Sequence, residues 1–317
     1  MTAPTTAQSS SEATIHRTQA ESPLVDCMGG ASRLEIKVHE HGFIALMDAM
    51  PRLVPQGQTA DFAVVQAARV SYGQGTKKVN EDRGLIRYLL RHRHTTPFEM
   101  IEFKFHMAMP IFIARQWIRH RTANVNEYSG RYSIMPDQFY RPTVEEVRKQ
   151  SASNRQGGEE TFVERPSGGI AEIKPASSDG YATAEAFVQY LADAEAQYDR
   201  YLKLTEQGVS RELARIGLPV SLYTQWYWKC DLHNILRFLS LRMDKHAQLE
   251  IRRYAQAMYS LLEPIVPITM EAWRDYDLEG VHLTRLEVEA LRSNQPLATE
   301  NKREQAEWQA KRSSLGL

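Results

Sequence analysis

Apolar and polar residues alternate or recur with helical spacing over most of the chain from Arg33 onward. Leu34-Glu35-Ile36-Lys37-Val38 alternates and predicts a short strand. Ala60 to Ala68 reads as a helix opened by Asp61, and Asp82 to His92 as another, with Leu85, Ile86, Leu89 and Leu90 on one face. Glu102 to Met107 alternates cleanly and predicts a half-buried strand. Pro110 suits the first turn of a helix running from Ile111 to about Arg119. The pattern lapses over 142–181, where Gly157-Gly158, Gly168-Gly169 and many polar residues predict a flexible insertion. It resumes at Ala182 with a long helix whose stripe is Phe187, Tyr190, Leu191, Ala194, Tyr198, Tyr201 and Leu202. A short helix spans Ser210 to Ile216, and Val220 to Trp228 alternates as a strand in which Trp226, Tyr227 and Trp228 serve a core or subunit interface. Asp231 suits an N-cap for a helix burying Leu232, Ile235, Leu236 and Leu239, and Ala247 to Leu262 forms a last long helix before Pro264.

Helices interleaved with a few strands predict an α/β (α+β type) domain, with helices packed on a small mixed sheet. The expected division is a disordered tail over 1–32, a folded domain over 33–295 containing the insertion, and a charged tail over 296–317. The chain has 317 residues, with Lys plus Arg equal to Asp plus Glu. That balance argues against nucleic acid or an anionic membrane as the main partner. No run is long and apolar enough to span a bilayer, and the N-terminus lacks the apolar segment of a secretory signal. Two cysteines, Cys27 and Cys230, are too few for a disulfide framework and point to a reducing, cytoplasmic location.

Against this neutral background one run stands out. Arg119-His120-Arg121-Thr122-Ala123-Asn124-Val125-Asn126-Glu127-Tyr128-Ser129-Gly130-Arg131 gathers guanidinium, imidazole, amide and hydroxyl groups directly after an apolar helix. Unpaired charges are costly in a core, and Arg in place of Lys suits bidentate binding of anions. The run therefore predicts a site for a phosphorylated ligand. Gln116, Arg119 and His120 share or adjoin one helix face. There is no Gly-x-Gly-x-x-Gly after a strand, so generic motifs indicate no dinucleotide fold, and Gly73 and Gly75 read as a turn. Taken alone, Arg215 is an ordinary helix-surface residue, His94 a surface imidazole, Arg242 a cation at a helix C-terminus and Trp117 a packing residue.

Arg119-His120-Arg121, seven residues, then Ser129-Gly130-Arg131-Tyr132 resembles the signature of the flavin-dependent thymidylate synthases. Three further blocks match that family in order and spacing: His94-Thr95-Thr96-Pro97-Phe98-Glu99, Gln116-Trp117-Ile118-Arg119, and Asp231-Leu232-His233 through Leu241-Arg242. The resemblance covers roughly residues 35–140 and 182–275. It implies reductive methylation of dUMP to dTMP, with methylenetetrahydrofolate as carbon donor and FAD, reduced by NADPH, as hydride donor. It also implies a homotetramer with active sites shared between subunits and FAD at their interface, and no metal. By this match, Gln116, Trp117, Ile118, Arg119, Glu127, Tyr128, Ser129, Gly130, Arg131, Arg215 and Arg242 bind dUMP. Thr96, Arg119, His120, Arg121, Glu127, Asp231, Leu232, His233 and Arg237 contact FAD. Arg242 activates the pyrimidine and His94 stands beside flavin and substrate. Neither cysteine has the electropositive setting of an activated thiolate, which fits chemistry without a covalent enzyme bond. The rival readings are an oxidase-like flavoenzyme without methyl transfer and a nucleotide- or RNA-binding module.

Overall fold

The structure, a computed structural model, describes residues 20–21, 33–70, 82–151, 157–164, 174–175 and 178–317. The expectations for Cys27, for Gly73 and Gly75 and for nearly all of the N-terminal tail lie outside these residues. Five strands form the central sheet: β1 (Leu34–Val38), β2 (Gly42–Met50), β3 (Glu102–Pro110), β4 (Asn124–Glu127) and β5 (Tyr223–Asp231). Their spatial order is β1-β2-β3-β5-β4, and every pairing is antiparallel. The expected mixed sheet is thus corrected to an antiparallel one. Each strand runs opposite to its neighbours, a pairing that lets one face stay wet.

Register explains why alternate residues of β2, β3 and β5 are apolar. Ile44 pairs with Met107 and Met107 with Trp226, while Leu46 pairs with Phe105 and Phe105 with Trp228. These six side chains form two rows across three strands, all buried on the same face. The opposite face carries His106 stacked on Tyr227, with ring centroids 4.7 Å apart, and the Lys229–Glu102 pair at 2.8 Å. The expected strand Val220–Trp228 is shifted: Val220 to Leu222 approach it irregularly and β5 continues to Asp231.

Ten main helices lie among the described residues. They are α1 (Phe62–Val70), α2 (Asp82–Arg91), α3 (Ile111–Trp117), α4 (Ser178–Glu195), α5 (Gln197–Glu206), α6 (Leu232–Arg242), α7 (Leu249–Leu262), α8 (Pro267–Trp273), α9 (Arg285–Ser293) and α10 (Lys302–Leu315). Helices α6 and α7 cover the apolar face of the sheet with Leu232, Ile235, Leu236, Phe238, Ile251 and Met258, all buried. The Tyr254 hydroxyl reaches the Ala108 carbonyl at 2.8 Å and pins α7 to β3. The long stripe expected from Phe187 to Leu202 is broken between α4 and α5. Tyr198 and Tyr201 are buried, whereas Phe187 and Tyr190 face outward. Within 142–181, Val147 and Val163 pack with Ala184 of α4, contacts made between short separated segments that leave no periodicity to read. At the C-terminal end, α10 buries Trp308, and Lys311 pairs at 2.8 Å with the buried Glu287 of α9.

Asp61 does more than open α1. Its carboxylate is buried and accepts from the backbone N–H groups of Ile268 (2.8 Å) and Thr269 (3.0 Å) and from the Thr269 hydroxyl. It therefore caps α8, whose own N-cap residue, Val266, has no side-chain acceptor. Asp61→Ala should destabilise the protein by about 2–3 kcal/mol, because a cap is lost and buried donors are left unpaired. Thermal unfolding measures this, and an unchanged melting temperature would contradict the role.

Candidate active site

Helix α3 ends in a fully buried Trp117 stacked on Phe238, with ring centroids 4.3 Å apart. That anchor fixes where the chain turns. His120 N–H donates to the Trp117 carbonyl at 2.9 Å, and Arg119-His120-Arg121 occupies the turn before β4. The Cys230 thiol donates to the Thr122 carbonyl at 3.2 Å and ties the turn to β5. Burial pushes this thiol well above the usual range, so it stays protonated.

The N-terminus of α6 is built as expected: Asp231 caps it, accepting from Asn234 N–H at 2.9 Å. His233, Arg237 and Leu241 then recur along one face at intervals of four. Arg242, the last residue of α6, donates through Nε to His120 Nε2 at 3.1 Å. That bond requires an unprotonated Nε2. Burial, reinforced by the Arg242 and Arg237 guanidiniums, pushes the His120 pKa down to about 4, so the acceptor is present at neutral pH.

These residues enclose two connected spaces. A recess of about 300 Å³ is lined by the Arg119-His120-Arg121 turn, Cys230, Arg237 and Arg242, and none of its lining residues is acidic. A larger cleft of about 720 Å³ has apolar walls that include Phe98, Leu236 and Trp273, with His94, His233 and Arg237 among its polar groups. Arg237 and Leu241 line both. An apolar wall beside a guanidinium-rich recess suits a ligand that joins a fused ring to a diphosphate. The donor set thus fits a flavin dinucleotide. Thr95 lines this cleft, while Thr96 opens the turn Thr96–Glu99. Leu232 and Trp117, both fully buried, line neither space.

A second cluster forms at the far end of β4. Gly130 packs against Met135 and Arg215: a Cβ there would lie 2.7 Å from Met135 Sδ and 3.2 Å from Arg215 Cδ. Ser129 Oγ accepts from Arg131 N–H at 3.4 Å, and Glu127 accepts from the Thr224 hydroxyl at 2.8 Å. Three tyrosines hold the following loop. Tyr128 and Tyr198 donate to the carbonyls of Ile134 and Met135, and the Tyr201 hydroxyl accepts from Met135 N–H. Gln116 donates to the Gln248 side chain, and Ile118 is exposed. One chain thus brings together Arg119, His120, Arg121, Arg237 and Arg242, with His94 and His233 in the adjoining cleft. It separately brings together Ser129, Gly130, Arg131 and Arg215. The strand between the two clusters spans about 13 Å. Sequence reasoning missed Trp273, Tyr276 and His282 as cleft residues. They lie past the apparent last helix, where no periodicity or motif points to them. Among the described residues no group of three or more His, Cys, Asp or Glu is arranged to hold a metal.

Residues 52–268 match the family model described as thymidylate synthase complementing protein. Among similar curated proteins, the flavin-dependent thymidylate synthase of Dictyostelium discoideum is 59% identical over 301 residues, covering 95% of this chain and 94% of that protein. The flavin-dependent thymidylate synthase of Thermus thermophilus is 46% identical, covering 82% and 85%. The crystal structure of PolB, a UMP/dUMP methylase from Streptomyces cacaoi bound with 5-Br dUMP, aligns with a TM-score of 0.59 at 30% identity, covering 76% of this chain and 98% of that one. On the matched family model and this depth of identity, the chain belongs to the flavin-dependent thymidylate synthase family.

Proposed function

We propose that this protein methylates dUMP at C5 to give dTMP, taking the carbon from methylenetetrahydrofolate and requiring FAD and NADPH. The observation that carries the reading is the Arg242 Nε–His120 Nε2 bond at the edge of a recess lined by three further arginines. A neutral imidazole fixes one edge of the Arg242 guanidinium and leaves its other N–H groups free to face a ligand. A guanidinium held against a pyrimidine stabilises negative charge developing at N3 and O4, which raises electron density at C5. Arg237, Arg119 and Arg121 neutralise diphosphate charge, and Ser129, Arg131 and Arg215 receive the dUMP phosphate. His94 and His233 line the wall of the cleft where a fused ring would lie. When bound, a reduced flavin supplies the hydride that completes the methyl group. The buried, protonated Cys230 is unsuited to attack C6, in keeping with a route without an enzyme thiolate.

The four residues of β4 are exposed along the open edge of the sheet, with the two clusters at either end. Completion of each site by a second copy, within a homotetramer, accounts for that separation.

Anaerobic turnover with chromatography of the nucleotide tests the function. dTMP should form only when FAD, NADPH and methylenetetrahydrofolate are all present, and flavin reoxidation without dTMP would contradict it. Arg242→Ala should retain bound FAD, seen by its absorbance, while dTMP formation falls by about a hundredfold or more. Normal turnover in that variant would remove Arg242 from the chemistry.

The His120 pKa gives a pH dependence of definite sign. Its folded value, about 4, lies below the ordinary 6.5. Between these values the unfolded chain binds a proton that the folded one does not. The stabilisation is therefore complete above pH 6.5 and is lost as pH falls toward 4. His39, whose pKa burial also lowers, adds a slope of the same sign, so the informative quantity is a difference. His120→Gln should lose less melting temperature than the wild type between pH 6.5 and 4.5, and parallel curves would contradict the assignment.

A further inference from the structure

The mouth of the larger cleft contains groups that the proposed chemistry has not used. Helix α2 ends there in a double-bonded C-terminal turn. His94 N–H donates to the Leu89 carbonyl at 2.9 Å and Arg93 N–H to the Leu90 carbonyl at 3.1 Å. The residue between the helix and that closing bond must adopt a left-handed conformation, and glycine is the usual occupant. Here it is Arg93, at φ 58°. The other two positive-φ non-glycine residues among those described are His39 and Asn294, and Asn tolerates this region. An arginine at such a position carries a conformational cost that a side-chain role would offset.

Arg93 lines the cleft together with Arg91. Among the described residues neither has a carboxylate within ion-pair distance, although their neighbour Arg87 is held by Glu271 at 2.9 Å and Asp275 at 2.7 Å. The facing wall comes from the π-helical turn Arg274–Leu278 and the loop after it. Such turns often mark functional sites. This one sets the Tyr276 ring 5.9 Å from the Arg91 guanidinium and 4.9 Å from that of Arg87. His282 completes the rim, with its Nε2 3.7 Å from Asp277, the one carboxylate lining the cleft. Cations at the C-terminus of α2 also complement the helix dipole. That role would be met by Arg91 alone and does not call for a non-glycine residue at position 93.

We propose that Arg91, Arg93 and His282 form a binding site for the multiply anionic tail of a co-substrate whose flat ring enters the cleft. This rests on the reading of the protein as a dUMP methylase that uses a folate and a nicotinamide reductant. Both co-substrates carry such a tail: glutamyl carboxylates on the folate, a ribose 2′-phosphate on NADPH. The shared chemistry is a flexible polyanion reaching two guanidiniums.

The test is Arg93→Gly in the full-length, FAD-loaded protein. Because glycine suits the left-handed position, the melting temperature should stay the same or rise, so a loss of binding would not reflect damage to the fold. The KM for the tailed co-substrate should rise about tenfold, the scale of one charge-assisted hydrogen bond, with kcat within about twofold. If the tail is glutamyl, the wild type should favour triglutamyl over monoglutamyl methylenetetrahydrofolate, and the variant should lose that preference. If it is the phosphate, the wild type should reduce flavin more readily with NADPH than with NADH, and the variant should erase the difference. Arg91→Gln should shift the same preference. Unchanged preferences in both variants would overturn the proposal. Absence of dTMP from the wild type would count against the methylase reading itself; calorimetric binding of tri- and monoglutamyl folate to the same holoprotein would then still decide the site.

Discussion

Four guanidiniums, those of Arg119, Arg121, Arg237 and Arg242, surround a recess of about 300 Å³ lined by no acidic residue. Their mutual repulsion has to be carried by the rest of the fold. The stack of Trp117 on Phe238 holds the Arg119-His120-Arg121 turn against α6, which bears the other two arginines and is itself buried against the sheet through Leu232, Ile235, Leu236 and Leu239. Burial, reinforced by Arg242 and Arg237, keeps His120 neutral, and only as a neutral acceptor can it orient Arg242. Under the proposed function, a bound diphosphate would relieve that repulsion and so couple ligand binding to local stability.

The sheet supplies the second constraint. Antiparallel pairing of β4 with β5 sets Asn124 opposite Lys229 and Glu127 opposite Trp226. The arginine turn therefore lies at the α6 end of β5, and Ser129 lies at the end where Tyr223 enters. Glycine at position 130 lets Met135 and Arg215 approach closely, since a Cβ there would force both side chains to shift. That close approach brings Arg215 beside Ser129 and Arg131 and away from Arg242. The residues proposed to bind dUMP are divided between the ends of an exposed edge strand, the separation that the proposed shared site accounts for.

Much of this was legible in the sequence because the informative signals are local. Asp231 reads as a cap and is one; Glu102 to Met107 alternates and is a strand. The arginine run, incompatible with a core, does lie outside it, lining a recess with Arg237 and Arg242. What could not be read depends on distant partners. Asp61 serves a helix that starts more than two hundred residues later. His120 offered no sign that Arg242 would be its donor. The direction of strand pairing is absent from periodicity, which is why a mixed sheet was expected. Tyr276 and His282 reach the cleft only because α8 packs beside α2, with Arg83 and Arg87 bound to Glu271. Phe187 and Tyr190 keep helical spacing yet face outward, since spacing defines a face without saying what covers it.

The most direct test of the account is complementation between chains. Arg215→Ala and Arg242→Ala should each be nearly inactive alone, and coexpression should recover dTMP formation well above either variant. Mixed oligomers would then contain sites with an intact Arg215 from one chain and an intact Arg242 from another. A coexpressed mixture no more active than its components would contradict the shared site and require both arginines to act from a single chain.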